Sequence, residues 1–358
     1  MVSLTLKPLA IGSLPHKDAG VALDYVFGLF METPFWPQLA GVNKLEDMVT
    51  QYTQGVCGLK YDKENAKFFF DPEAEDFYER LEEFYLDYET IVNEKDFTPL
   101  NKYAITEPYS HALKPYLDRI KKLKPEYAKG HVTGSFTWGT SICDTEGRCA
   151  FFDPTLKDIS TKAMALKALW QVVEMKKASP ESTPIIFLDE PAVCQYGTSA
   201  FVTVQKQEIT ESFREIIDVI RSVGGLAGIH CCGKADWEMM IDAGFDILNL
   251  DAYLYAQNLS LCPKKVEKHL QNGGIIAWGV IPTLDKEALE KINLEKAVAV
   301  FEKAVSYLTE KGIDKNLIIK QSAITPSCGT GSLNEALACK AMELTVQLSQ
   351  ELTRKYKE

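Results

Sequence analysis

A chain of 358 residues that is 46% hydrophobic and 25% charged carries enough apolar side chains for a large core and an ordinary polar surface. Thirty-nine basic against 50 acidic side chains leave a net charge of −11, which argues against nucleic acid or an anionic membrane as principal partner, since both demand basic patches. Nine cysteines without a framework spacing, no leader-like start over residues 1–10 and no apolar run of membrane length point to free thiols in a reducing cytoplasm.

Residues 4–14 read as a first strand running into Ile11-Gly12-Ser13-Leu14-Pro15, where glycine and serine allow close backbone approach to a small ligand or make a plain turn. A helix is expected over 18–30. Pro34-Phe35-Trp36-Pro37 is extended and cannot continue it. Residues 54–71, with glycine, lysine and aromatics, read as an inserted β-hairpin. Helices follow over 71–93 and 110–123, and the acidic clusters of the first of these are a solvated face. A strand over 128–133 leads to Thr133-Gly134-Ser135-Phe136-Thr137-Trp138-Gly139, small polar residues suited to lining a pocket, and His131 within it reads as core.

After a helix over 158–178, the apolar strand 184–189 ends in Asp189-Glu190-Pro191. Two carboxylates there are costly to bury unless they cap the next segment or hold a cationic group of a ligand. A helix over 210–223 precedes Gly228-Ile229-His230-Cys231-Cys232-Gly233. Side chains two apart on a strand share a face. His230 and Cys232 can therefore reach one ion while Cys231 points away, and imidazole and thiolate are ligands that zinc prefers. The competing reading is a buried cysteine pair beside a core histidine. Further strands are expected over 246–251, 274–280 and 317–321, with helices over 264–271, 293–310 and 334–355. The first of these strands ends in Asp251, and the last precedes Pro326-Ser327-Cys328-Gly329.

Short strands, apolar throughout and separated by helices, are the pattern of a parallel sheet covered on both faces. Seven are counted, near residues 8, 130, 186, 228, 248, 277 and 319, with an eighth near Phe35 or Tyr103. The expectation is an α/β fold, a single TIM-type (β/α)8 barrel over 1–358 with the small hairpin inserted. A doubly wound sheet is second, since no Gly-x-Gly-x-x-Gly follows the first strand. Ser13, Asp189, His230, Cys232, Asp251 and Cys328 all fall at strand C-terminal ends, where such barrels build their sites. Ligands so far apart in sequence suit a catalytic ion with an open position rather than a structural knuckle. Thiolates with an imidazole and a carboxylate suit the binding of a substrate thiol as thiolate, hence alkyl transfer to sulfur.

The chain resembles the C-terminal catalytic barrel of cobalamin-independent methionine synthase. The resemblance is carried by Ile11-Gly12-Ser13-Leu14-Pro15, Asp47-Met48-Val49, Thr133-Gly134, Asp189-Glu190-Pro191-Ala192, His230-x-Cys232, Leu250-Asp251 and Pro326-Ser327-Cys328-Gly329. It implies zinc held by His230, Cys232, Asp251 and Cys328, with aspartate where the family has glutamate. It implies homocysteine held through Ile11, Gly12 and Ser13 at its carboxylate and Asp189 at its ammonium. The family's additional N-terminal barrel has no counterpart here, and a family glutamate falls near Val42. The chain is therefore similar to core-type methionine synthases, which implies a methylated corrinoid or corrinoid protein as donor in place of methyltetrahydrofolate. The His-x-Cys…Cys pattern is also similar to methylcobamide:coenzyme M methyltransferases and uroporphyrinogen decarboxylase-like barrels, the latter implying a metal-free reaction on a tetrapyrrole.

Overall fold

The computed structural model describes residues 4–357; residues 1–3 and 358, part of the segment read above as leaderless and as barrel, lie outside the described residues. Its framework is one parallel sheet of six strands, β3 Tyr127–Thr133, β4 Thr183–Asp189, β5 Leu226–Cys231, β6 Ile247–Asp251, β7 Ile275–Ile281 and β8 Ser322–Pro326, paired in sequence order. The other two strands, β1 Leu59–Asp62 and β2 Lys67–Phe70, form the expected antiparallel hairpin. The helices are α1 Ala19–Leu29, α2 Phe77–Val92, α3 Leu113–Leu123, α4 Ser135–Ser141, α5 Pro154–Ala178, α6 Lys206–Ser222, α7 Trp237–Ala243, α8 Ala252–Tyr255, α9 Pro263–Gln271, α10 Lys286–Lys291, α11 Leu294–Thr309, α12 Lys315–Lys320 and α13 Glu335–Lys357.

Among the described residues six parallel strands stand where eight were expected, and the reason is proline. Residues 4–14 and 33–38 occupy the places of the missing two. They are joined to their neighbours only by isolated bridges, Pro8 to Ile324, Ser13 to Gln38 and Phe35 to Lys129. Pro8, Pro34 and Pro37 have no N–H to give a ladder. Backbone bonds still run from β8 to the first segment (Leu9 N to Ile324 O, 2.8 Å), across to the second (Gln38 N to Gly12 O, 3.1 Å) and on to β3 (Trp36 N to Lys129 O, 3.2 Å).

A second correction concerns residues 317–321, expected as a strand. They lie mostly in α12, because the Asp314 side chain caps its first turn by accepting from Asn316 N. A short apolar run reads equally as helix or strand. The strand is the more polar Ser322–Pro326 that follows.

Two apolar populations hold the fold. Leu9, Tyr127, Ile185, Phe187, Ile247, Ile275, Ala277 and Ala323 pack together as one small cluster, and they alternate with residues facing the helices. Alternate residues of a strand share a face, so Lys129, His131, Asp189, His230, Asn249, Asp251 and Thr325 belong to that same inner face. The larger cluster seals sheet to helices. Within it, Trp36 Nε1 donates to Gln171 Oε1 (2.9 Å) and Gln171 Nε2 donates to the His131 carbonyl (2.8 Å), pinning α5 to β3. No helix among the described residues is long and apolar enough to cross a membrane.

Candidate metal centre

The end of β5 carries His230, and Cys232 follows it directly. The loop after β8 carries Cys328. One imidazole nitrogen and the two sulfurs lie within 4.8 Å of one another. Cys231, between the first two, is buried on the opposite side with its sulfur toward Gly233 O, and burial pushes its thiol pKa up. The period of two foreseen for a strand is what sets Cys231 apart from His230 and Cys232 here.

The histidine is held in one tautomer by its neighbour across the ladder. Asn249 is fully buried on β6, and its amide nitrogen donates to Ala277 O (2.8 Å) and Thr325 Oγ1 (2.7 Å). Its carbonyl oxygen must then face His230 Nδ1, 2.5 Å away, and accept that N–H. This leaves Nε2 as the lone-pair nitrogen. It is buried, turned toward the sulfurs and without a hydrogen-bond partner. A buried orphan acceptor costs stability unless something binds it, and a ligating histidine commonly has its other nitrogen fixed in this way.

The two sulfurs shift each other's acidity in opposite directions. The nearby Cys328 thiol, and after it His230, pull Cys232 down to about 4 against the burial that raises it. Cys328 is pushed up by the Cys232 thiolate and by burial. Burial opposes the charged form of His230, but the Cys232 thiolate outweighs it and the pKa is raised. Two half-buried soft sulfurs and a buried imidazole lone pair fit a zinc-like ion.

The Cys328 loop is clamped from both sides. Thr283, beyond β7, accepts from Cys328 N (2.9 Å) and donates to Cys328 O (3.0 Å). On the other side Thr330 N donates to Ser13 O (3.0 Å) and Gly331 N to Ser13 Oγ (3.3 Å). A Cβ at Gly329 would meet Ser13 Oγ at 2.1 Å, so any other residue would force the Ser13 hydroxyl to move. Ser13 thus stands beside the sulfur loop, Gly12 accepts from Gln38 N, and the Ile11 carbonyl accepts from Lys129 Nζ at 2.6 Å.

The two carboxylates of Asp189-Glu190 divide their work. Glu190 accepts from Phe136 N (3.0 Å), Thr137 N (3.0 Å) and Thr137 Oγ1 (2.7 Å), capping α4; burial still holds it near 8. Gly134 is required there, since a Cβ would sit 2.0 Å from Glu190 Oε1. Asp189 is the register partner of His230. Its Oδ1 is sealed from solvent with no partner, and burial raises its pKa to about 6 against the pull of His230 and Lys129. Of the two carboxylates, it is the one left to meet a ligand.

Asp251 is not brought into the three-residue group. Its carboxylate accepts from Leu254 N at 3.0 Å and caps α8, and burial raises it to about 6. Sequence reasoning passed over Asn249 and Lys129 and placed His131 in the core. Lys129 is wholly buried, 4.2 Å over the Phe187 ring, and burial lowers it to about 7 although Asp189 opposes the shift. The available signal was parity, because each is polar and in phase with a site residue two or four positions along its own strand.

No family model matches the chain, and no curated protein matches it. Solved structures do match it, among them a B12-independent methionine synthase from Shewanella sp. W3-18-1 in complex with selenomethionine, at a TM-score of 0.48 and 15% identity over 70% of each chain.

Proposed function

We propose that this protein is a zinc-dependent methyltransferase that methylates the thiol of homocysteine to give methionine, with a methylated corrinoid, free or protein-bound, as donor. The observation that carries the reading is the trio of buried His230 and half-buried Cys232 and Cys328, with an unpartnered imidazole lone pair turned toward two sulfurs. A zinc ion bound there supplies what such sites supply to sulfur chemistry, the holding of a substrate thiol as its thiolate near neutral pH.

The rest of the work falls to the chain's own groups. Asn249 keeps His230 Nδ1 protonated and Nε2 free. Thr283 and Ser13 hold the Cys328 loop. Asp189 offers Oδ1 to the amino acid's ammonium, which orients the sulfur toward the trio. The new bond forms from a sulfur lone pair to the methyl carbon as the cobalt–carbon bond breaks, and cobalt keeps the electron pair. A sulfonate thiol such as coenzyme M has no ammonium for Asp189, which favours the amino-acid acceptor. A metal-free decarboxylase leaves the sulfur trio without a task.

The test is methyl transfer from methylcobalamin to homocysteine, measured before and after chelation and after zinc is restored. Transfer that stops on chelation and returns with zinc is expected. Transfer indifferent to the chelator overturns the proposal.

A further inference from the structure

One buried polar side chain on the inner face is used by nothing described so far. His131 is 1% exposed, and neither ring nitrogen has a hydrogen-bond partner. Its ring stacks on Trp36 at 4.2 Å, and its carbonyl is fixed by Gln171 Nε2 and the Tyr52 hydroxyl, so its place is set by packing and backbone alone. The ring lies against Gly12, where a Cβ would sit 2.8 Å from Nδ1. Two residues before it on the same face stands Lys129, whose ammonium is tied to the Ile11 carbonyl. Two residues after it stands Thr133, the register partner of Asp189.

An imidazole with both nitrogens sealed and unsatisfied is costly. Burial and the Lys129 charge hold it neutral, so it has one N–H to give. A neutral N–H donor above a buried cation and beside the Ile11-Gly12 backbone suits an anion, and the unpaired Asp189 oxygen suits a cation. An α-amino acid carries both charges on one carbon.

We infer that His131 is a specificity-determining residue for the acceptor, donating its ring N–H to the substrate carboxylate while Asp189 takes the ammonium. The inference rests on the amino-acid acceptor proposed above. Phenylalanine at 131 keeps the ring against Trp36 and removes the donor, whereas glutamine restores an N–H.

The test is calorimetric binding of three thiols to the zinc-loaded protein: homocysteine, 4-mercaptobutanoate without the amine, and 3-aminopropanethiol without the carboxylate. His131→Phe is expected to weaken the two carboxylates roughly ten- to a hundredfold, the span of one hydrogen bond to a charged group, and the amine thiol less than about twofold. His131→Gln should recover part of the loss. Asp189→Asn should show the opposite pattern, weakening the two amines. Equal weakening of all three thiols by His131→Phe, or unchanged carboxylate binding, overturns the contact while the acceptor reading stands. Wild-type protein that binds none of the three overturns the acceptor reading and the contact with it. Zinc content and thermal midpoint of each variant separate these outcomes from misfolding.

Discussion

Replacing Asn249 by leucine tests the cause assigned to the His230 tautomer. The two side chains share heavy-atom count and branching, so the change removes hydrogen bonds while adding the bulk of two methyl groups, and Asn249→Ala serves as the control without that bulk. It deletes the acceptor 2.5 Å from His230 Nδ1 and the donors to Ala277 O and Thr325 Oγ1. The imidazole then has two courses. It can keep its proton on Nδ1, buried without an acceptor at a cost of about 1–3 kcal/mol. It can instead move the proton to Nε2 and lose the lone pair that binds metal. By either course zinc affinity falls about ten- to a hundredfold, or about 1.4–2.7 kcal/mol. Asn249→Asp keeps an acceptor for Nδ1, so zinc affinity is retained while stability falls, because a carboxylate cannot donate to Ala277 O. The assay is zinc competition against a chromophoric chelator, with thermal unfolding alongside. Asn249→Leu protein that binds zinc as tightly as wild type would refute the tautomer argument.

Three further outcomes follow from the same geometry. Asp251→Asn should leave zinc stoichiometry unchanged, since the carboxylate lies outside the three-residue group and its Oδ1 accepts from Leu254 N; Asp251→Ala should cost about 1 kcal/mol of stability as a lost cap, read from denaturant unfolding. The Asp189 carboxyl is raised by burial to about 6, so it is charged above that pH and neutral below. Homocysteine affinity should therefore be present above pH 6 and decline as pH falls through it, whereas Asp189→Asn should bind weakly at all pH values. The same shift reverses sign for stability. A carboxyl whose folded pKa lies above its ordinary 3.8 destabilises the fold increasingly as pH rises between the two values. Asp189→Asn should accordingly be stabilised relative to wild type above pH 6 and not below pH 4. An unfolding series across that window checks it.

The elements easiest to read in the sequence were those whose physics is local. Strands such as Ile185-Ile186-Phe187-Leu188 are apolar on both faces because helices cover one side and a packed interior the other. His230 and Cys232 were legible because a strand's period of two puts them on one face. Elements set by distant partners were not. Residues 4–14 and 33–38 look like strands but are starved of donors by their prolines, so they bridge without laddering. Ser322–Pro326 is the strand in place of 317–321, and its hydroxyls answer Trp278 and Asn249 across the sheet. Helix α4, built on Gly134-Ser135-Phe136-Thr137, is capped by Glu190 from 54 positions away in sequence in the case of Phe136 N. Asn249 and His131 passed as strand interior, since their importance comes from which nitrogen is satisfied and by whom.

The most direct measurement is a titration of the metal-free protein with cobalt(II), followed by absorption. Saturation at one equivalent is predicted, with a sulfur-to-cobalt charge-transfer band that weakens in both Cys232→Ser and Cys328→Ser and persists in Asp251→Asn. A chain that shows no saturable band, or one whose band is untouched by loss of Cys328, contradicts the claim that these side chains share one ion.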